Sequence, residues 1–216
     1  TSFTYFLKSK RIRSLIMFNA LLMGTITGIV NLRSSMLNEI QVPEQYFGII
    51  FAILQFVAAL STRNTERIQE IFRNKTLAWL GIPVVVSCII IGFIGEDQLS
   101  KSSLILIVVL FAIQYAIKGP YIGLITRYLN NFTNRNIRPK ISALRYLTAN
   151  LATAIISLIC SGLLSITTTA NTFIIIGCLT TIGVILLLDY MKDKVGLQPE
   201  EYSEEDIRYS INRPEK

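Results

Sequence analysis

The stretch LILIVVLFAIQYAIKGPYIGLIT (Leu104–Thr126), followed at once by RYLNNFTNRNIRPK (Arg127–Lys140), decides how the rest of the chain is read. Its first part is 23 residues with one charge, and a helix needs about 20 residues to cross a bilayer core of about 30 Å. Its second part is polar and carries Arg127, Arg135, Arg138 and Lys140, the signature of a loop held at a membrane face. Five other stretches repeat the first part: Ser14–Leu32, Val42–Leu60, Leu77–Ile94, Ile141–Leu164 and Thr172–Leu188. Runs this long and apolar are helices, because the alternative, a barrel strand, is only about 10 residues long and alternates in polarity. Hydrophobic residues make up 51% of the chain, charged residues 16%, and the mean hydropathy is +0.50. A soluble domain of this size would not carry six such runs. The expected fold is therefore all-α, a polytopic membrane bundle of six transmembrane helices.

The positive charges fall in alternate gaps. They cluster at Lys8, Lys10, Arg11 and Arg13, at Arg63, Arg67, Arg73 and Lys75, at Arg127 to Lys140, and after Tyr190. The intervening gaps hold little charge. The positive-inside rule then places both termini and the two basic loops in the cytoplasm, with the plasma (bacterial inner) membrane as the expected location. Three domains follow: a basic lead-in over 1–13, a transmembrane domain over 14–190, and a charged cytoplasmic tail over 191–216. The net charge of +7 does not imply a nucleic-acid partner, because it sits at membrane edges. The chain begins at Thr1 with no signal-peptide pattern, which leads to the expectation that it is a piece of something longer.

Three helices per triplet is an odd number, so two triplets would be related by inverted topology, a 3+3 plan common in secondary transporters. The third and sixth stretches are the plainest and suit lipid. The first carries a row at helical spacing: Asn19, Met23, Thr27, Asn31, Ser34 or Ser35, and Asn38. The fourth carries Gln114, Tyr115, Lys118 and Tyr121, and the fifth Tyr146, Asn150, Thr153, Ser157 and Ser161. Each row has two readings, interhelical packing or the lining of a pathway. Gly24 and Gly28 form a Gly-x-x-x-Gly step that seats a close helix crossing. Pro83 and the Gly119-Pro120 pair fall inside the third and fourth stretches, as kinks or as marks of a site.

The chain holds no histidine, and its cysteines, Cys88, Cys160 and Cys178, lie on three separate stretches as small apolar residues. No disulfide, metal site, paired carboxylates or phosphate loop is expected, and hence no cofactor and no enzyme. The unusual residues are cations. Lys118 lies about 21 Å along its helix from Leu104, either in a hydrated cavity facing an anionic group or snorkelling to the headgroups. Arg145 reads as snorkelling or as part of an inner-gate ion pair, and Arg33 lies near the outer end. A proton-coupled pathway usually needs a titratable acid, and these stretches offer none, so any such acid is expected elsewhere in the full protein.

The ensemble resembles the C-terminal half of a major facilitator superfamily transporter over about Lys8 to Leu197. The residues that carry the resemblance are the lead-in KSKRIR (Lys8–Arg13), the short basic loop STRNTERIQEIFRNKT (Ser61–Thr76), AIKGPYIGLITRYLNNFTNRNIRPK (Ala116–Lys140), and a plain last helix followed by a charged tail. The six stretches would be helices 7 to 12 of twelve. The family's Gly-x-x-x-Asp-Arg-x-Gly-Arg-Arg type motif has a degenerate echo in Glu66, Arg67, Arg73 and Lys75, without the glycines, which implies cytoplasmic ion pairing. In the family the first and fourth helices of each half line the cavity and the second and fifth flank it. The resemblance thus implies Asn19, Thr27, Asn31, Gln114, Tyr115, Lys118 and Tyr121 as pathway candidates, Asn150 as a flanking one, and Arg67, Arg73 and Arg145 as cytoplasmic gate candidates. Its implied partners are the lipid bilayer, a small-molecule substrate and an N-terminal six-helix half. The competing readings are a self-contained six-helix transporter or channel acting as a homo-oligomer, and a membrane scaffold.

Overall fold

The structure is a computed structural model that describes residues 9–72, 76–96, 101–133 and 135–192. The charged tail beyond residue 192, together with Arg73 and Lys75, lies outside these residues. The helices are α1 (Lys10–Gly28), α2 (Val30–Glu39), α3 (Phe47–Thr62), α4 (Thr65–Phe72), α5 (Thr76–Glu96), α6 (Lys101–Asn131), α7 (Arg138–Leu164) and α8 (Thr169–Met191), with a 3-10 turn at Glu44–Tyr46. Among the described residues there is no strand. Six spans are long and apolar enough to cross a membrane, with α1 and α2 together forming the first over Lys10–Glu39. Helices are the expected outcome, because a backbone inside hydrocarbon must satisfy its own polar groups.

The first span and the proline sites differ most from the sequence reading. The first span is a 30-residue unit, Lys10–Glu39, longer than Ser14–Leu32, and it is interrupted at Ile29. After Glu39 the chain turns sharply, with Gln41 in the left-handed region at φ 61° and Val42 N–H donating to the Leu37 carbonyl at 3.0 Å. Helices α5 and α6 run through Pro83 and Pro120 without a break, so the one interruption of a described span falls where no proline stands.

The packing pairs are ordered. Helix α5 packs most extensively on α8, α1 on α7, and α3 on α6; α5 also meets α6, and α1 meets α8. Exchanging the first triplet of spans for the second carries each pair onto another. The α1–α7 pair becomes α6–α3, α1–α8 becomes α6–α5, and α5–α8 maps onto itself. That self-consistency is what an inverted 3+3 repeat requires, although the residues of the two triplets do not match.

Glycines set the two equivalent crossings. A Cβ on Gly24 would lie 2.7 Å from the Ala152 side chain, and one on Gly28 2.8 Å from Ile156, so the Gly-x-x-x-Gly step lets α7 close onto α1. Gly119 does the same for α6 against the Ala58 carbonyl of α3. Ser157 of α7 donates 3.1 Å to the Gly28 carbonyl beside the Ile29 interruption.

The interior is divided into two apolar clusters. One gathers Leu15, Phe18 and Leu22 with Leu80, Val84, Leu124 and Val184. The other gathers Leu32, Met36, Leu54, Ile91, Phe111, Phe173 and Ile176. The outward faces are apolar as well: Trp79, Ile82, Phe93, Leu179, Ile182 and Leu186 on α5 and α8 are all exposed, and that surface suits lipid. Cys88 and Cys160 are buried as expected, whereas Cys178 is exposed on α8.

Candidate transport pathway

The deepest polar feature is a hydrogen-bonded chain through three spans. Arg33 is fully buried, and its Nη2 donates 2.7 Å to Gln114 Oε1. Gln114 Nε2 donates 2.8 Å to Ser87 Oγ, which itself donates 2.7 Å to the Val84 carbonyl. The Arg33 guanidinium lies 5.1 Å from the Tyr115 ring centroid and 5.7 Å from that of Phe111. Its Nε and Nη1 make no hydrogen bond of good geometry. A buried charge is costly unless paired, and here one amide and two aromatic faces provide the compensation. Arg33 is therefore an interior group and not one that snorkels from the outer end.

Two cavities open beside α6 and share Ile122. One, of about 240 Å³, is lined by Asn19, Met23 and Thr27 of α1, by Arg145, Tyr146, Ala149, Asn150 and Thr153 of α7, and by Ile122. The other, of about 450 Å³, is lined by Gln55, Ala58, Ala59 and Thr62 of α3 and by Lys118, Gly119, Ile122, Gly123 and Thr126 of α6. Neither is lined by a carboxylate.

The candidate set thus separates in two. Asn19, Thr27 and Asn150 converge on the smaller cavity and Lys118 lines the larger one, while Asn31 is exposed on α2, beyond the interruption at Ile29. Gln114, Tyr115 and Tyr121 are buried within the bundle. Tyr121 packs on Phe18 with ring centroids 6.2 Å apart, and its hydroxyl has no hydrogen-bond partner. The polar residues of α6 therefore do not share one face: Gln114 and Tyr121 point inward and Lys118 toward the cavity. Half-buried Lys118 keeps its Nζ 5.2 Å from the Tyr115 centroid, so Tyr115 contacts both Arg33 and Lys118.

Of the gate candidates, Arg145 is buried, donates 2.7 Å to Thr126 Oγ1, and lies 4.5 Å from the Tyr146 ring centroid. Arg67 is exposed on α4. The ion pair in this region is Glu66 with Arg127, at 2.9 Å, joining α4 to the end of α6. At the same end Arg13 donates 2.7 Å to the Tyr190 hydroxyl, tying the start of α1 to the end of α8. At the opposite end Thr169 donates to Glu39.

Sequence reasoning missed the Arg33–Gln114–Ser87 chain. The available signal was the polarity itself: a charge, an amide and, in the plainest span, a lone hydroxyl each need a partner inside an apolar bundle. Among the described residues no cluster of histidine, cysteine and acidic groups suits a metal.

Six apolar spans, each long enough to cross a bilayer, define a multi-pass membrane protein with two clefts opening beside α6. The sequence profile of the Major Facilitator Superfamily matches residues 14–212, and the chain belongs to that superfamily, whose members are secondary transporters and not enzymes. No curated protein matches the chain, and no solved structure does.

Proposed function

We propose that the chain is the C-terminal six-helix half of a secondary transporter that moves a small solute by alternating access. The observation that carries this reading is the convergence of Asn19, Thr27, Arg145 and Asn150, from spans distant in sequence, on one cavity. Polar groups within membrane spans are costly and gather where water or substrate reaches them. The permeating solute would run along the α1, α6 and α7 face. An N-terminal six-helix half would cover the face where α3 and α7 leave Ile49, Ile53, Phe56, Leu151, Ile155 and Leu158 exposed. The same apolar faces favour a second reading, in which two copies of this chain pair as a homo-oligomer. Charge supports a plasma-membrane orientation with both termini cytoplasmic, because the basic loops and the Arg13–Tyr190 contact lie at one end of the bundle.

The test is accessibility. Thr27→Cys and Asn31→Cys, introduced separately in a Cys178→Ala background, are expected to react with a membrane-impermeant maleimide from either side of the membrane in turn, as solute shifts the population. Permanent reaction from one side alone would refute alternating access. The intact mass of the native gene product separates the two readings. A mass near twice 24.3 kDa fits the twelve-helix protein, and one near 24.3 kDa fits the homo-oligomer.

A further inference from the structure

Charge is distributed one-sidedly along the two cavities. Lys118 lines the larger, Arg145 lines the smaller, and no carboxylate lines either. Behind them stands Arg33, buried and within reach of the same Tyr115 ring that Lys118 touches. The described carboxylates near the span ends are engaged or remote: Glu39 accepts from Thr169, Glu66 pairs with Arg127, Asp189 lies near the end of α8, and Glu44 and Glu70 are exposed outside the cavities. Among the described residues, the two cavities and the buried site behind them therefore carry three cations and no anion.

Their spacing is informative. The Arg145 guanidinium is held at Thr126, eight residues beyond Lys118 on α6, which is about 12 Å along the axis. One small charged group cannot touch both at once. Low-dielectric walls focus the field of such cations and raise the local concentration of anions by roughly 10-fold or more. The rest of each cavity is amide, hydroxyl and apolar surface: Asn19, Thr27 and Asn150 in one, Gln55 and Thr62 in the other.

Resting on the pathway reading above, we infer that the transported solute is a small organic anion, with Arg145 as the first station for its negative group and Lys118 as the deeper one. The cationic groups attract and orient the anion, and the amides and hydroxyls accept or donate to its uncharged part. Neither station makes an ion pair with a described residue, so each guanidinium or ammonium can exchange its present contact, Thr126 or the Tyr115 face, for the solute.

The experiment measures the field directly, with the full chain in native membranes and Cys178→Ala as background. Thr27→Cys reports on the Arg145 cavity and Gln55→Cys on the Lys118 cavity. Each is reacted with an anionic sulfonatoethyl and a cationic trimethylammonioethyl methanethiosulfonate, with rates normalised to a free thiol. The expected result is a preference of about tenfold for the anionic reagent at both positions. Arg145→Gln should abolish it at Thr27→Cys and Lys118→Gln at Gln55→Cys, while Lys118→Arg retains it. Ready reaction without anionic preference, or a preference that survives loss of both cations, overturns the anion assignment and leaves the pathway standing. A cysteine at Thr27 inert to both reagents from both sides removes the pathway itself, and the assignment with it.

Discussion

Arg33 and Gln114 are 81 residues apart in sequence and joined by a 2.7 Å hydrogen bond inside the bundle, with Arg33 wholly withdrawn from the surface. The bond links the first span to the fourth. Loss of Gln114 strands a buried charge, which costs far more than loss of both partners. Gln114→Leu is expected to destabilise the protein by about 2–4 kcal/mol. The double variant Arg33→Met/Gln114→Leu should recover at least half of that. Thermal unfolding in detergent, run as a double-mutant cycle, reads the difference; equal losses in the single and double variants would contradict the pairing.

The α1–α7 crossing gives a size prediction. Gly28→Ala places a methyl group against Ile156 and is expected to lower stability by about 1–3 kcal/mol. Ile156→Ala in the same chain should restore part of it by making room. A melting temperature that falls further in the double variant would show that the crossing is not limited by this contact.

The Glu66–Arg127 pair is exposed on both sides, and exposed pairs contribute about 0–1 kcal/mol. Arg127→Ala should therefore change stability little, and by less at high salt. If the pair latches α4 to α6 during transport, the effect appears in transport rate instead, and charge exchange (Glu66→Arg with Arg127→Glu) restores it.

Topology is checked at two exposed turns. Asn64 follows α3 and Asn136 precedes α7, and both are exposed. Cysteines at these positions are expected to react only with reagent added from the cytoplasmic side. Labelling of either from outside would reverse the orientation drawn from the basic loops.

Removal of the deeper cation should separate transport from folding. Lys118→Ala is expected to insert normally, since Lys118 makes no ion pair with a described residue, and to transport more slowly. Unchanged kinetics in flux assays would remove Lys118 from the pathway.

The spans were legible because hydrocarbon imposes a length and a composition that any sequence shows directly. So was the Gly24–Gly28 crossing, which has a local signature. The interruption at Ile29 was not, because no proline marks it and the Ser157 hydroxyl that reaches the Gly28 carbonyl beside it comes from a distant helix. The faces of α6 were misjudged for a related reason. At helical spacing, Gln114, Lys118 and Tyr121 fall on a broad arc, and only the neighbours decide that Arg33 draws Gln114 inward while α3 leaves Lys118 on a cavity. On sequence alone the first span ends at Leu32 and Arg33 falls near a membrane edge; seven further helical residues to Glu39 put it inside. Polar partners on different helices leave no spacing rule in the sequence, so their pairing is invisible until the helices are assembled.

The exchange of packing pairs between the two triplets has an energetic corollary. A tilt that parts α1 from α6 at one end of the bundle works against the α1–α7 and α1–α8 seams. The opposite tilt works against α6–α3 and α6–α5, which are their counterparts. The two deformations thus draw on corresponding helix pairs whose side chains differ, so the cost of each is set by those side chains and not by the architecture alone. The balance between them is then a difference of side-chain terms, which a solute shifts by its differential binding, about 1–3 kcal/mol.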